Sequence, residues 1–340
     1  MKDFLEIVFV GSGAISTALG NVLALKNKYN ITLLSIEDEV VDSINNFHVN
    51  QKYFPNVSLH PKLKASTDKN ILNDADVVFL GIPSNVTVTY VEENKYYFNP
   101  KALIVNLAKG FGLDNKTIPQ CLNRVVGNEI FSMKGPSFAR EIINNLPTGF
   151  TITSKKDKYF NLFGDMFENT SIYLDFTTDV EGVELASILK NIYAIIVGIV
   201  DAHFNSSNLR SLVLTKAINE MRYIISKFGG NETTLFNYCG FGDFSLTALN
   251  DLSRNRTLGL LIGKGFFTSD IPEKVVLEGT IAVNVFIEEI AKKRQIKTKR
   301  LMIKELYSVL NDENYDIKNF VNQILSVKRY KNSIFPTFFS

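Results

Sequence analysis

The chain has 340 residues, 45% of them hydrophobic and 21% charged, with a formal net charge of +2. That balance fits a globular protein with room for one large domain or two, and it excludes the global basic field of a nucleic-acid binder. Two cysteines (Cys121, Cys239) and three histidines (His48, His60, His203) show no metal-ligand or triad spacing, so neither zinc nor Ser/His/Asp chemistry is expected, nor any other metal.

Ile7-Val8-Phe9-Val10 is continuously apolar, which predicts a strand buried on both faces. It enters Gly11-Ser12-Gly13-Ala14-Ile15-Ser16, and residues 17–25 follow with helical spacing. A strand, Gly-x-Gly and a helix place pyrophosphate oxygens at a helix N-terminus, with Gly11, Ser12, Gly13, Ala14 and Ile15 as the expected dinucleotide contacts. Ser16 stands where the usual fingerprint has a third glycine, and it is small enough to keep the helix near the sheet. The next strand, 31–35, leads to Ser35, Ile36 and Glu37, where an adenosine ribose is read in such folds. No lysine or arginine occurs in that stretch to meet a 2′-phosphate. Glu37 as the ribose contact favours NAD(H), with NADP(H) left open.

Further strands are predicted at 77–80, 102–105 and 149–153. Their alternation with helical segments implies an α/β fold, a Rossmann-type doubly wound and mostly parallel sheet with right-handed crossovers. In Asn106-Leu107-Ala108-Lys109-Gly110 the lysine follows a strand, which assigns it to the carboxyl end of the sheet, where open α/β folds bind ligands. Gly135-Pro136-Ser137-Phe138-Ala139-Arg140-Glu141 reads as a turn into a helix, serving as cap, ligand contact or both.

The pattern changes character within 176–182. The expected division is an NAD(P)-binding domain over 1–178 and an all-helical substrate-binding and catalytic domain over 179–340. Helices are predicted at 181–204, 209–227, 258–262, 275–291, 302–310 and 317–327. Lys190 lies in the first of these, amid Leu189, Ile192, Ile195 and Ile196. Two readings stand: a lysine that snorkels to water, or a buried amine of lowered pKa fit to exchange a proton with an alkoxide. Asp243 could hold such an amine at a substrate carbonyl.

Residues 191–200 form the longest uncharged apolar run of this half, about half of what a bilayer span requires. The opening Met1-Lys2-Asp3-Phe4-Leu5-Glu6 lacks the apolar stretch of a secretory leader. A cytoplasmic location and no membrane insertion are expected. Gly240-Phe241-Gly242-Asp243-Phe244-Ser245-Leu246-Thr247 and Ser253-Arg254-Asn255-Arg256 gather an acid, hydroxyls, an amide and two guanidinium groups. They read either as a grip for a phosphorylated, hydroxyl-bearing molecule or as a solvated helix end. The cationic run Lys292-Lys293-Arg294 through Lys297, Lys299 and Arg300 reads as another solvated helix end.

Taken in order, these segments resemble NAD(P)-dependent glycerol-3-phosphate dehydrogenases over nearly the whole chain. The resemblance rests on the Gly11 turn, Asn50-x-x-Tyr53-Phe54-Pro55-Asn56, Lys109-Gly110 and Gly135-Pro136-Ser137-Phe138-Ala139. Gly182-Val183-Glu184-Leu185 with Lys190-Asn191, Gly242-Asp243, Ser253-Arg254-Asn255-Arg256 and Val276-Leu277-Glu278-Gly279 complete it. It implies reversible reduction of dihydroxyacetone phosphate to sn-glycerol 3-phosphate, a phospholipid precursor, by a homodimer. Lys190 is then the general acid/base, Asp243 orients it, and Lys109 adds positive charge at the reacting oxygen. Substrate contacts implied by the resemblance are Lys109, Gly135, Ser137, Asn191, Thr247, Ser253, Arg254 and Asn255. Ala139, Arg254, Val276, Glu278 and again Lys109 join the glycine turn and Glu37 near the dinucleotide. Three departures stand out: Ser16, Ile36 where many members carry a basic residue, and a 201–208 turn without the family's glycines. A paralogue for another small phosphorylated ketone or keto acid, and a silent dinucleotide-binding protein, are the alternative readings.

Overall fold

Residues 4–266, 278–293, 301–312 and 315–326 are described by the computed structural model. Eight strands form one sheet: β1 (Leu5–Val10), β2 (Tyr29–Leu34), β3 (Leu63–Ser66), β4 (Val77–Leu80), β5 (Leu103–Asn106), β6 (Glu129–Lys134), β7 (Thr148–Thr153) and β8 (Ile172–Thr177). Their spatial order is β3-β2-β1-β4-β5-β6-β7-β8. Neighbours run parallel except β6 and β7, which are antiparallel. Chain order reverses direction between β1 and β4, and a crevice at the carboxyl ends of strands at such a switch point is where doubly wound folds take ligands.

The apolar runs form central strands because the pleat divides them between two cores. Ile7, Phe9, Leu33, Phe79 and Val105 face one layer, with α1 (Ala14–Leu25) supplying Leu19, Val22 and Leu23. After α2 (Asp38–Phe47), the other layer takes Val8, Val10, Val78, Leu80 and Ile104 against α3 (Ser84–Asn94) and α4 (Ile118–Val125). Two short helices, α5 (Ala139–Ile143) and α6 (Phe160–Phe167), complete the first layer with Ile142, Phe163 and Met166. Strands β3, β6 and β8 were not legible as apolar runs. The first is a four-residue edge with alternating burial, the second ends in the charged Lys134, and the third is an edge strand carrying the exposed Tyr173.

Helices follow from residue 180: α7 (Val180–His203), α8 (Ser207–Lys227), α9 (Asp243–Leu249), α10 (Arg254–Gly263), α11 (Glu278–Lys292), α12 (Met302–Asn311) and α13 (Phe320–Ser326). The helix expected at 258–262 begins earlier because Ser253 caps it, its side chain accepting from the N–H of Arg256. The segment expected as one helix from 317 is a 3₁₀ turn, Ile317–Asn319, leading into α13. Residues 275–277 and 327, the outer ends of two expected helices, lie outside the described residues, as does most of the cationic run from Arg294 to Arg300. Among the described residues α7 alone is long and apolar enough to cross a membrane, and its apolar window is wholly buried in protein.

The chain divides into two compact units, residues 1–191 with 221–247 and residues 192–220 with 248–340. The sheet itself ends at Thr177 and α7 begins at Val180, where the sequence pattern changes. In the first unit Asp179 fixes that start: one carboxylate oxygen accepts from Gly182 N–H at 3.0 Å, and the other takes the Asn231 N–H and the Thr234 hydroxyl.

Candidate active site

In the first unit, Gly11 has φ +94°, a left-handed conformation that a side chain would strain, and a Cβ there would lie 2.7 Å from Ile82. Gly13 is the N-cap of α1; no side chain caps that helix, and nothing lies within 4 Å of where its Cβ would be. No side chain therefore takes the first N–H groups of α1, those of Ala14 and Ile15, which lie at the positive end of the helix dipole. Asn50 holds the turn by donating to Ser12 O at 3.0 Å and to Thr17 Oγ1 at 2.8 Å. The arrangement fits the pyrophosphate of a dinucleotide.

Ser16 is fully buried, and the space it takes is provided by a glycine elsewhere. A Cβ on Gly81, just after β4, would lie 2.0 Å from Ser16 Oγ. The missing third glycine has in effect moved across to the neighbouring strand. At the end of β2, Ser35 Oγ bonds Ser12 Oγ at 2.8 Å, and Ile36 is 92% exposed. Glu37 is ion-paired to Lys52 at 2.6 Å. The local sequence offers no cation here, so the structure corrects that expectation: Lys52 arrives from the segment after α2.

Lys190 does not snorkel. It is 6% exposed, and its Nζ donates to Asp243 Oδ1 at 2.7 Å and to Thr247 Oγ1 at 2.8 Å. The other oxygen of Asp243 accepts from Lys109 Nζ, also at 2.7 Å. Lys109 Nζ donates further to Gly135 O at 2.8 Å and Ser137 Oγ at 3.1 Å. Burial pushes the Lys190 amine down to about 8; the Asp243 carboxylate pulls it back up, and the Lys109 charge adds to the lowering. Asn191 follows on α7, also buried.

Asp243 owes its place to two strands, β7, which the sequence showed, and β8, which it obscured. A π-helical turn, Tyr238–Gly242, leads into α9 and is pinned to the sheet. Cys239 N–H donates to Thr151 Oγ1 of β7 at 2.9 Å, and Tyr238 N–H to Asp175 Oδ2 of β8 at 3.0 Å. Within α9, Thr247 Oγ1 donates to Asp243 O at 2.7 Å, so carboxylate and hydroxyl face Lys190 together. Gly135 admits no larger residue, since a Cβ would fall 2.2 Å from Gly149 O. Ala139 opens α5, two residues beyond Ser137 in the same turn. Both cysteines are buried free thiols.

In the second unit the Ser253–Arg256 cluster separates into two kinds of residue. Arg256 is buried, with Nη1 donating to Asp201 Oδ2 at 2.6 Å and Ala248 O at 3.0 Å, and Nε to Asp251 at 3.0 Å. Asp201 also takes Arg210 Nε at 2.8 Å. The expectation of two guanidinium groups available to a ligand is thus corrected to one, Arg254, which is exposed. Asn255 is half-buried, and its Oδ1 has no hydrogen-bond partner among the described residues. Small residues hold α10 against α7: a Cβ on Gly259 would lie 2.1 Å from Ile195 O, and one on Gly198 would lie 2.4 Å from Arg256 O. The 201–208 segment that lacks glycines is helical through His203 and again from Ser207. Val276 lies outside the described residues, and Glu278 is the first residue of α11.

Comparison with known proteins gives this geometry its context. A family model described as the N-terminus of NAD-dependent glycerol-3-phosphate dehydrogenase matches residues 6–160, and its C-terminal counterpart matches 179–322. A protein of Leptospira biflexa named glycerol-3-phosphate dehydrogenase (NAD(P)+) is 31% identical over 330 residues, spanning 95% of this chain and 98% of that one. One of the same name from Methanothermobacter thermautotrophicus is 35% identical over 263 residues, 76% of this chain and 80% of that one. The crystal structure of a glycerol-3-phosphate dehydrogenase from Coxiella burnetii superposes with a TM-score of 0.84 at 28% identity, covering 95% of this chain and 99% of that one. Matched by both halves of the family description and by a relative along nearly its full length, the chain belongs to the NAD-dependent glycerol-3-phosphate dehydrogenase family.

Proposed function

We propose that this chain catalyses the reversible reduction of dihydroxyacetone phosphate to sn-glycerol 3-phosphate with NADH or NADPH. The observation that carries this reading is the pair of ammonium groups, Lys190 and Lys109, on opposite oxygens of the buried Asp243 carboxylate. Residues 1–178 hold the dinucleotide on this reading, with Gly11 to Ile15 taking its pyrophosphate and Glu37 its ribose. When bound, the nicotinamide supplies hydride to the middle carbon. Lys190 gives its proton to the carbonyl oxygen, and an amine whose pKa lies near 8 both donates and recovers a proton near neutral pH. Lys109 stabilises the developing negative charge in a region already shielded from water.

Residues 179–340 supply most of the substrate contacts. Arg254, with Ser253 and Asn255, is assigned to the phosphate, and the exposed guanidinium of Arg254 supports this. Phosphate binding remote from the reacting carbon orients the carbonyl. A homodimer, a cytoplasmic location and a role in supplying phospholipid precursor follow from the family resemblance. Adding dihydroxyacetone phosphate to the purified protein with either reduced cofactor should deplete the cofactor absorbance; no turnover with either one would refute the reading.

A further inference from the structure

We infer that Lys134 and Glu184, an ion pair wholly enclosed in the first unit, form a positioning device for Lys109, an inference that rests on the reaction proposed above. Neither side chain is exposed to any extent, and Lys134 Nζ lies 3.2 Å from Glu184 Oε1. The lysine ends β6, and the glutamate lies on α7 upstream of Lys190.

The pair grips the turn that delivers Lys109. Lys134 Nζ donates to Asn106 O at 3.3 Å and also to Ala108 O, the residue before Lys109. From the other side, Asn106 Nδ2 donates to the same Glu184 Oε1 at 3.2 Å, while Asn106 Oδ1 accepts the Ala108 N–H at 3.0 Å. Gly135, the residue after Lys134, offers its carbonyl to the Lys109 amine. Three elements that meet at the reacting lysines, β5, β6 and α7, are thus cross-tied by one pair of charges.

An ion pair so deeply enclosed is a poor source of stability, because desolvation offsets most of the attraction and apolar replacements of both partners are often neutral or stabilising. Glu184 Oε2 has no hydrogen-bond partner among the described residues, which makes the pair costlier still. Its value therefore lies in geometry: directional bonds to two turn carbonyls, those of Asn106 and Ala108, that an apolar side chain could not make.

The test uses the full-length Lys134→Met/Glu184→Gln double variant, which removes both charges together, keeps side-chain volume and leaves an amide oxygen for Asn106. Loosening the turn withdraws Lys109 from Asp243, so the Lys190 amine should titrate at higher pH. Side-chain NMR titration of isotope-labelled lysines, with Lys190→Arg to assign the signal, reads this shift without substrate. The same variant should lose roughly ten- to hundredfold in kcat, as small misplacements of catalytic groups do, with dinucleotide affinity retained. A Lys190 titration and kcat both equal to the parent's, whatever the change in melting temperature, would overturn the inference. Should the double variant fail to fold, Asn106→Ser loosens the same turn with both charges in place. An upward shift of Lys190 there supports the inference, and an unchanged titration overturns it. Because the titration needs no turnover, it decides the matter even if the parent proves inactive on dihydroxyacetone phosphate, a result that would refute the reaction instead.

Discussion

Lys190 and Asp243 meet at 2.7 Å with both side chains withdrawn from water. Burial drives the amine toward neutrality and the carboxylate restrains it, which leaves Lys190 titrating at about 8. Carbonyl reduction needs the protonated amine, so kcat in that direction should fall as pH rises through about 8, while the oxidation direction should rise over the same range. Pre-steady-state pH profiles in both directions check this, and limbs in the opposite order would contradict it. The linked stability has a definite sign. Between about 8 and the ordinary 10.5 the unfolded chain binds more protons at this lysine, so its contribution to stability grows as pH rises through that window.

The glycine turn predicts a compensating pair. Gly81→Ala drives a methyl to within 2.0 Å of Ser16 Oγ, and overpacking of this kind costs about 1–3 kcal/mol. Ser16→Gly removes the obstructing hydroxymethyl. Denaturant unfolding of the two single variants and the double should show the double recovering most of the loss from Gly81→Ala. Simple additivity would disprove the contact.

Arg254 and Arg256 should fail in different ways. Arg254→Ala should raise the KM for the phosphorylated ketone roughly ten- to hundredfold, the loss of hydrogen bonds to a charged group, while leaving thermal stability intact. Arg256→Ala leaves the buried Asp201 with one partner fewer, and breaking such a pair costs about 3 kcal/mol or more of stability. Melting curves beside steady-state constants separate the two effects.

Cofactor choice is expected to turn on the Glu37–Lys52 pair. Glu37→Gln removes the carboxylate that would repel a 2′-phosphate and frees Lys52 to meet it. The ratio of kcat/KM for NADPH over NADH should rise by at least about tenfold, since like-charge juxtaposition costs several kcal/mol. An unchanged ratio would place the ribose elsewhere.

How much of this was legible beforehand depended on whether the deciding partner was local. Strands β1, β4 and β5 were readable because burial on both faces leaves a continuous apolar run. Strand β6 was not, since Lys134 looks like a solvent residue until Glu184 meets it from α7. Lys190 stood between two readings for the same reason, its partner Asp243 being remote in sequence. Ser16 could be noticed as a departure, yet only the fold shows that Gly81 supplies the missing space. Nothing local distinguishes Arg254 from Arg256, and Asp201 decides it.

The central claim is that the buried amine of Lys190 performs the proton transfer of dihydroxyacetone phosphate reduction. Its most direct test is single-turnover cofactor oxidation by the parent and by Lys190→Met, a substitution that keeps the apolar stem and removes the ammonium. The expected result is rapid turnover by the parent and a loss of about 10²- to 10⁴-fold in the variant, with cofactor affinity unchanged. A variant that reduces the ketone at the parent's rate would contradict the account.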